Sequence, residues 1–123
     1  MLKGKTVLIV DDNEKNIFAM SAILRTKGMR IITAENGEKG IEKIAEFSDI
    51  DIILMDMMMP VMDGYDAIKY IRTSLNNNIP IIALTAKAMA GDREKCLESG
   101  ANEYCSKPVD IKELTEKMVY CLE

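Results

Sequence analysis

The sequence predicts an α/β fold in which short buried strands alternate with helices. Two observations support this prediction. Short runs such as 6–10 and 80–84 are continuously apolar, which is typical of strands covered on both faces. The longer segments between these runs carry apolar residues at helical spacing. Strict alternation of the two kinds of segment predicts one parallel sheet with helices on both faces.

Five strands and five helices are predicted in chain order. Asn13 or Asp12 can cap the first helix, and Gly28 can close it. Asp110, with Glu113 three residues later, resembles a capping box at the start of the last helix. The short fifth strand is expected near the sheet edge. The predicted strands are 6–10, 30–34, 51–55, 80–84 and 103–106, and the predicted helices are 14–27, 38–47, 64–75, 88–99 and 110–122.

One face of each helix is expected to point into the core. Ile17 and Phe18 widen the apolar surface of the first helix beyond its core stripe. They either pack locally or form part of a docking patch for a partner helix. The residues assigned to the core are Ala19, Met20, Ile23, Leu24, Ile41, Ile44, Ala45, Ala67, Ile68, Ile71, Leu114, Met118 and Leu122.

Length and charge are those of one globular domain, which we expect to cover residues 1–123. The 123 residues have a formal net charge of −4 and no strong basic patch, so contact with nucleic acid is not expected. The apolar runs are too short for a membrane span. The start of the chain leads directly into a strand without an evident signal peptide.

The cysteines and the lack of histidine limit the chemistry. Cys96, Cys105 and Cys121 are odd in number and lack metal-ligand spacing, so we expect reduced thiols in a cytoplasmic protein. Because the chain contains 0 histidines, any step that needs an imidazole must use one from a partner.

Polar side chains gather where the predicted strands end. Asp11 and Asp12 follow the first strand, and Asp56 follows the third. Thr85 follows the fourth strand, and Lys107 follows the fifth. In an open parallel sheet the carboxyl ends of the strands form the usual site of chemistry. We therefore expect three carboxylates, a hydroxyl and an ammonium to converge at one edge.

The crowding of these acids indicates a divalent cation. Three nearby carboxylates repel one another, and Lys107 offsets only part of that charge. A hard cation such as Mg²⁺ offsets more and leaves coordination positions for phosphate oxygens. Asp56 can then act as a nucleophile towards a phosphoryl group. Lys107 and the Thr85 hydroxyl can hold the other phosphoryl oxygens.

Each of these residues has a simpler explanation when it is taken alone. The acids of the first strand can cap a helix, Asp56 can reach solvent from a loop, and Thr85 can bond the backbone. Lys107 can be a solvated surface lysine, and Tyr104 can be ordinary packing. The run 57–59 of three methionines is expected to fill gaps in the loop packing. All five site residues at the correct strand ends are much harder to explain by chance.

Together these motifs resemble the receiver domain of two-component response regulators. The matching stretches, which run from one end of the chain to the other, are 10–13 (VDDN), 56–64 (DMMMPVMDG), 84–86 (LTA) and 107–108 (KP). The resemblance implies a flavodoxin-like fold with five strands in the order 2-1-3-4-5. Asn16 and the stretch 88–97 look more like the receivers of hybrid histidine kinases and phosphorelays.

The resemblance also implies a metal-bound phosphorylation site. Asp56 would be the phospho-acceptor. Asp11, Asp12, Asp56 and the backbone carbonyl of Met58 would bind Mg²⁺ or Mn²⁺. The phosphoryl donor would be a histidine kinase or a histidine phosphotransfer protein.

A third set of residues would read out the phosphoryl group. Thr85 and Lys107 match the hydroxyl and the lysine that contact it, and Tyr104 matches the switch aromatic. The Lys107–Pro108 bond is expected to be cis. The chain would then be a signalling switch with slow autodephosphorylation, acting through the face of the fourth and fifth strands and helices.

Three other functions are less compatible with the sequence. A phosphohydrolase with an aspartate nucleophile would want a second acid at the position of Met58. A flavin-binding protein would want a small-residue phosphate loop where Asp11 and Asp12 lie. A receiver-like interaction module that is never phosphorylated would be expected to lack some of the site residues, yet all are present.

Overall fold

The structure is a computed structural model, and it describes residues 2–86 and 91–123. Five parallel strands form one sheet in the order β2-β1-β3-β4-β5, as predicted. The strands are β1 Thr6–Val10, β2 Arg30–Ala34, β3 Ile52–Asp56, β4 Ile81–Thr85 and β5 Glu103–Ser106. The helices are α1 Glu14–Thr26, α2 Gly37–Glu46, α3 Gly64–Thr73, α4 Asp92–Ser99 and α5 Ile111–Leu122.

The ends of several elements differ from the prediction by one or two residues. β3 begins at Ile52 and extends to Asp56, one residue later than predicted. Asp51 lies directly before the strand, where its carboxylate accepts a hydrogen bond of 2.8 Å from the Thr6 N–H and its own N–H donates to the Thr6 carbonyl at 2.9 Å. The predicted start of the fourth helix, at Ala88, lies outside the described residues.

Side-chain caps fix the beginnings of four helices. Asn13, not Asp12, caps α1, and its Oδ1 accepts from the N–H groups of Lys15 and Asn16. Asn36 caps α2 and Asp63 caps α3 in the same way. Asp110 caps α5. Each cap satisfies backbone donors that the first turn of a helix leaves unpaired.

The core lies in two layers, one on each face of the sheet. Alternate strand residues feed the two layers, so Leu8 joins the layer under α2 and α3 while Ile9 joins the layer under α1 and α5. The three central strands are buried along their whole length. Two predicted core residues, Ala19 and Ala45, are exposed because the apolar stripes of their helices are narrower than predicted.

Arg72, near the end of α3, binds the loops that precede β4 and β5. Its guanidinium donates to the carbonyl oxygens of Gly100, at 3.0 Å, and Ile79, at 2.7 Å. It also donates to Oδ1 of Asn102 at 2.8 Å. The loop before β4 and the loop before β5 are therefore tied to the same side chain. In the described part of the chain, no helix combines the length and apolar character of a membrane span.

Replacement of Arg72 by methionine is expected to lower the free energy of unfolding by about 3 kcal/mol, because it leaves half-buried carbonyl groups without a charged donor. The matched control is Arg30→Met, which breaks an exposed ion pair with Asp49 and should cost less than about 1 kcal/mol. Urea unfolding followed by circular dichroism measures both. Equal losses in the two variants would contradict this role of Arg72.

Candidate functional site

The strand register places the predicted acids side by side. Val10 pairs with Met55, so the residues that come next, Asp11 and Asp56, lie at the same level of the sheet. Thr85 ends β4 beside them, and Lys107 follows β5. The sheet edge formed by the carboxyl ends of the strands therefore contains the residues that sequence analysis assigned to it.

The site is buried to an unusual degree for charged groups. Asp11 is fully buried, and Asp56 and Thr85 are each only 2% exposed. Asp12 lies at the exposed rim. Within ranges 2–86 and 91–123, the buried polar side chains are Thr6, Asp11, Ser21, Asp56 and Thr85, and three of them lie at this edge.

Lys107 is the counter-charge of the two buried acids. Its Nζ lies 3.1 Å from Oδ1 of Asp56 and 3.4 Å from Oδ2 of Asp11. The backbone N–H of Lys107 donates to the Thr85 carbonyl at 2.7 Å, which fixes the start of the loop. The Lys107–Pro108 peptide bond is cis, as the resemblance implies. One lysine thus connects the ends of β1, β3, β4 and β5.

Backbone donors orient both acids. The Met58 N–H donates to Oδ1 of Asp56 at 3.1 Å, and the Asn13 N–H donates to Oδ1 of Asp11 at 2.9 Å. Gly64 allows α3 to begin against this loop, since a Cβ there would lie 2.6 Å from the Asp56 carbonyl oxygen. The loop is therefore closely packed around Asp56.

The three methionines that follow Asp56 behave differently. Met57 is fully buried and Met59 is 7% exposed, so these two fill the core as expected. Met58 is 54% exposed and does not fill the core.

The environment of Asp56 favours its protonated form more than solvent does. Burial raises the pKa of Asp56 to about 6, while the hydrogen bond from the Met58 N–H lowers it. The charge of Asp11 raises this pKa and that of Lys107 lowers it. Since burial is the largest of these effects, Asp56 needs further positive charge to remain fully ionised at neutral pH.

The donor set fits a divalent metal ion. One carboxylate oxygen each from Asp11, Asp12 and Asp56 lies within 4.8 Å of the others. Carboxylate oxygens on a partly open rim are the ligands that Mg²⁺ prefers, because it keeps several waters. Among the described residues, Lys107 alone forms ion pairs with the two buried acids, which also favours a cation. The residues at this edge therefore suit the metal predicted from the sequence.

Two grooves run along α1, and one of them is lined by Asp11. A groove of about 220 Å³ is lined by Asp11, Asn16, Ala19, Ile23, Pro108 and Val109. Sequence analysis did not connect Ala19 and Ile23 with the site, although both lie at helical spacing from Asn16. Phe18, which is 76% exposed, and Ile17 line a second groove towards β2 and α2.

Tyr104, another predicted site residue, lies on β5. It is half-buried and packs against the core layer under α2 and α3. Its ring lies 4.8 Å from Nζ of Lys117 on α5. This contact with α5 had no counterpart in the sequence prediction.

Comparison with known proteins agrees with the resemblance seen in the motifs. The family model described as response regulator receiver domain matches residues 7–119. Hybrid signal transduction histidine kinase M of Dictyostelium discoideum is 39% identical over 122 residues, which cover 93% of this chain. The chain spans 5% of that kinase and 7% of hybrid signal transduction histidine kinase I of the same organism.

Two solved structures are similar over nearly the whole chain. One is the receiver domain of the sensor histidine kinase PA1611 of Pseudomonas aeruginosa PAO1, with a magnesium ion coordinated in its active site cleft. It has a TM-score of 0.85 at 40% identity, covering 97% of this chain and 98% of that one. The other is the Saccharomyces cerevisiae receiver domain of Ssk1 in complex with the histidine phosphotransfer protein Ypd1. It has a TM-score of 0.87 at 32% identity, covering 95% and 88%.

Replacement of Lys107 by methionine should lower the free energy of unfolding in EDTA by about 3 kcal/mol, because it leaves two buried carboxylates without their cation. Excess magnesium chloride should restore part of this loss, since the ion replaces the missing charge. The exposed Lys69→Met is the control, and urea unfolding with and without magnesium is the measurement. If Lys107→Met were as stable in EDTA as the control, the counter-charge role would be wrong.

Proposed function

The chain belongs to the response regulator receiver domain family, and we propose that it is a phosphorylation-controlled switch of a phosphorelay with Asp56 as phospho-acceptor. The observation that carries this proposal is the grouping of Asp11, Asp12 and Asp56 within 4.8 Å, with Lys107 3.1 Å from Asp56. A buried acid beside another buried acid, with one counter-charge among the described residues, is costly for stability alone. Such a cost is typical of a functional site.

Phosphoryl transfer to Asp56 would proceed by in-line attack. A carboxylate oxygen of Asp56 forms the new bond to phosphorus while the bond between phosphorus and the partner's histidine nitrogen breaks. The electron pair of the broken bond returns to the imidazole, which leaves with the partner. The hydrogen bond from the Met58 N–H holds the carboxylate in a fixed orientation during the attack.

Asp11, Asp12, Asp56 and the backbone carbonyl of Met58 are the proposed ligands of Mg²⁺, or of Mn²⁺ in its place. When bound, the ion would supply positive charge to the phosphoryl oxygens. The buried Asp11 is held by the Asn13 N–H and needs no rearrangement to act as a ligand. Asp12 lies at the rim, where a hydrated ion can enter.

The product would be held and detected by Lys107 and Thr85. The ammonium of Lys107 already lies at the Asp56 carboxylate, so it can move to a phosphoryl oxygen over a short distance. The Thr85 hydroxyl can supply a hydrogen bond from the end of β4. A movement of Thr85 would change the space available to Tyr104 on β5, and the surface of β4, α4, β5 and α5 would carry the signal.

The donor is proposed to be a histidine kinase or a histidine phosphotransfer protein. The chain has no histidine of its own, and the related receiver of Ssk1 forms a complex with Ypd1. The partner would dock on α1, with the groove beside Ala19 and Pro108 nearest to the acids. Ile17 and Phe18 would add a second contact area on the same helix.

Multiple-turnover hydrolysis is not part of the proposal. The residue two positions after Asp56 is Met58, which cannot act as a general acid. Slow autodephosphorylation remains, because water can reach the rim at Asp12. The free thiols of Cys96, Cys105 and Cys121 fit a reducing cytoplasm, which is the proposed compartment.

Asp56→Asn should reduce phosphate incorporation from a labelled small-molecule acyl-phosphate donor to background, because an amide oxygen is a poor nucleophile. Labelling of the wild-type protein should require magnesium. The matched control is Asp66→Asn, an exposed acid in the first turn of α3, which should be labelled like the wild type. Label retained on Asp56→Asn would remove this residue from its proposed role.

Ala19→Glu should slow phosphotransfer from phosphorylated Ypd1 by about tenfold or more, because it places a charge in the groove next to Pro108. Phe18→Ala should slow it less, by about threefold. Labelling by the small-molecule donor should be unchanged in both variants. Wild-type transfer rates in Ala19→Glu would exclude this groove, and wild-type rates in Phe18→Ala would exclude the second contact area.

A further inference from the structure

Lys117 on α5 makes several contacts with Tyr104 and its neighbours. Its ammonium donates a hydrogen bond to the Tyr104 carbonyl oxygen and lies 4.8 Å from the centre of the Tyr104 ring. It also lies 3.0 Å from Oε1 of Glu113 and 3.9 Å from Oε1 of Glu103. One cation therefore contacts both the backbone and the aromatic ring of the residue proposed as the switch.

The side chain of Lys117 reaches Tyr104 around the edge of the sheet. Cys105 faces the core layer under α1 and α5, whereas Tyr104 packs against the opposite layer. Because β5 is the outermost strand, a residue of α5 can reach Tyr104 only by passing around that strand. A lysine has the length and the flexible apolar stem that this route requires. The contact thus joins the two faces of the sheet at its open edge.

The charge of Lys117 is balanced locally. Its side chain is only 24% exposed, yet two carboxylates lie within reach. Burial acts to lower the pKa of Lys117, but the hydrogen bond to Glu113 and the nearby negative groups outweigh it, so the pKa is raised. Glu103 also accepts a hydrogen bond of 3.2 Å from the Tyr104 N–H. The ion pair of Glu103 and Lys117 therefore contacts Tyr104 at three places, which are its N–H, its carbonyl and its ring.

We propose that Lys117 is a positioning residue that stabilises one of the two ring placements of Tyr104, and so sets how readily the α4–β5–α5 surface switches. This proposal rests on the proposed function, in which Tyr104 responds to the phosphoryl group. To leave its present placement, the ring must lose its contact with the ammonium. The contact between the ring and the mostly buried ammonium biases such an equilibrium by roughly a factor of ten.

The test uses the full chain labelled with ¹³C at tyrosine, with Tyr104 assigned through Tyr104→Phe. Beryllofluoride with magnesium serves as the phosphoryl mimic. Loss of a nearby cation shifts the ring signal even when the ring does not move, so the chemical shift alone does not decide. The deciding quantity is the population of the second ring placement, measured by relaxation dispersion. In Lys117→Met, which keeps the apolar stem, this population should rise about tenfold relative to wild type. In Lys117→Arg this population should stay at the wild-type value. Lys112 is an exposed lysine of the same helix, and Lys112→Met should leave the population unchanged.

Different outcomes would contradict the positioning role of Lys117 and the switch role of Tyr104. If Lys117→Met has the wild-type population, or if Lys112→Met changes it equally, the positioning role is overturned while the switch is untouched. If beryllofluoride leaves the wild-type Tyr104 signal in place, the switch role of Tyr104 fails. A second variant, Lys117→Gln, keeps the test decisive if Lys117→Met does not fold.

Discussion

The structure depends on the pairing of two buried carboxylates with one lysine. Asp11 and Asp56 lie side by side because β1 and β3 are neighbours in register, and the ammonium of Lys107 lies within 3.4 Å of both. Placing two acids in a buried site costs free energy that a single cation only partly offsets. The apolar strands and the tight loop at Gly64 must therefore hold the acids together against their repulsion.

The same lysine links the acids to the ends of β4 and β5. Lys107 follows β5 and donates its backbone N–H to the Thr85 carbonyl, so its position is coupled to the ends of β4 and β5. Tyr104 lies three residues earlier on β5 and is held from α5 by Lys117. A change of charge at the acids and a change of surface at α5 are thus connected through a single edge strand with a cation at each end.

The sequence predicts those features that depend on local chemistry. Asp56 at the end of an apolar strand follows from the pattern itself, and so do the capping residues. The long-range contacts are a different matter, because nothing near Arg72 or Lys117 in the sequence indicates which carbonyl groups they will reach. Packing also decides the width of a helix stripe, which is why Ala19 faces the groove beside the site and not the core. Residues that act across elements can be identified only when the elements are assembled.

The geometry at Lys107 explains how one added phosphoryl group can have an effect beyond its own site. Lys107 already contacts both Asp11 and Asp56, so a phosphoryl group would compete with these carboxylates for its charge. Asp11 and Asp12 would hold a divalent cation, whose charge would reduce this competition when bound. In the proposed switch, Lys107 would follow the phosphoryl group, and its backbone hydrogen bond to the Thr85 carbonyl would couple that movement to β4. The proposed switch would therefore use both charges, that of the ion at the acids and that of the phosphoryl group at Lys107.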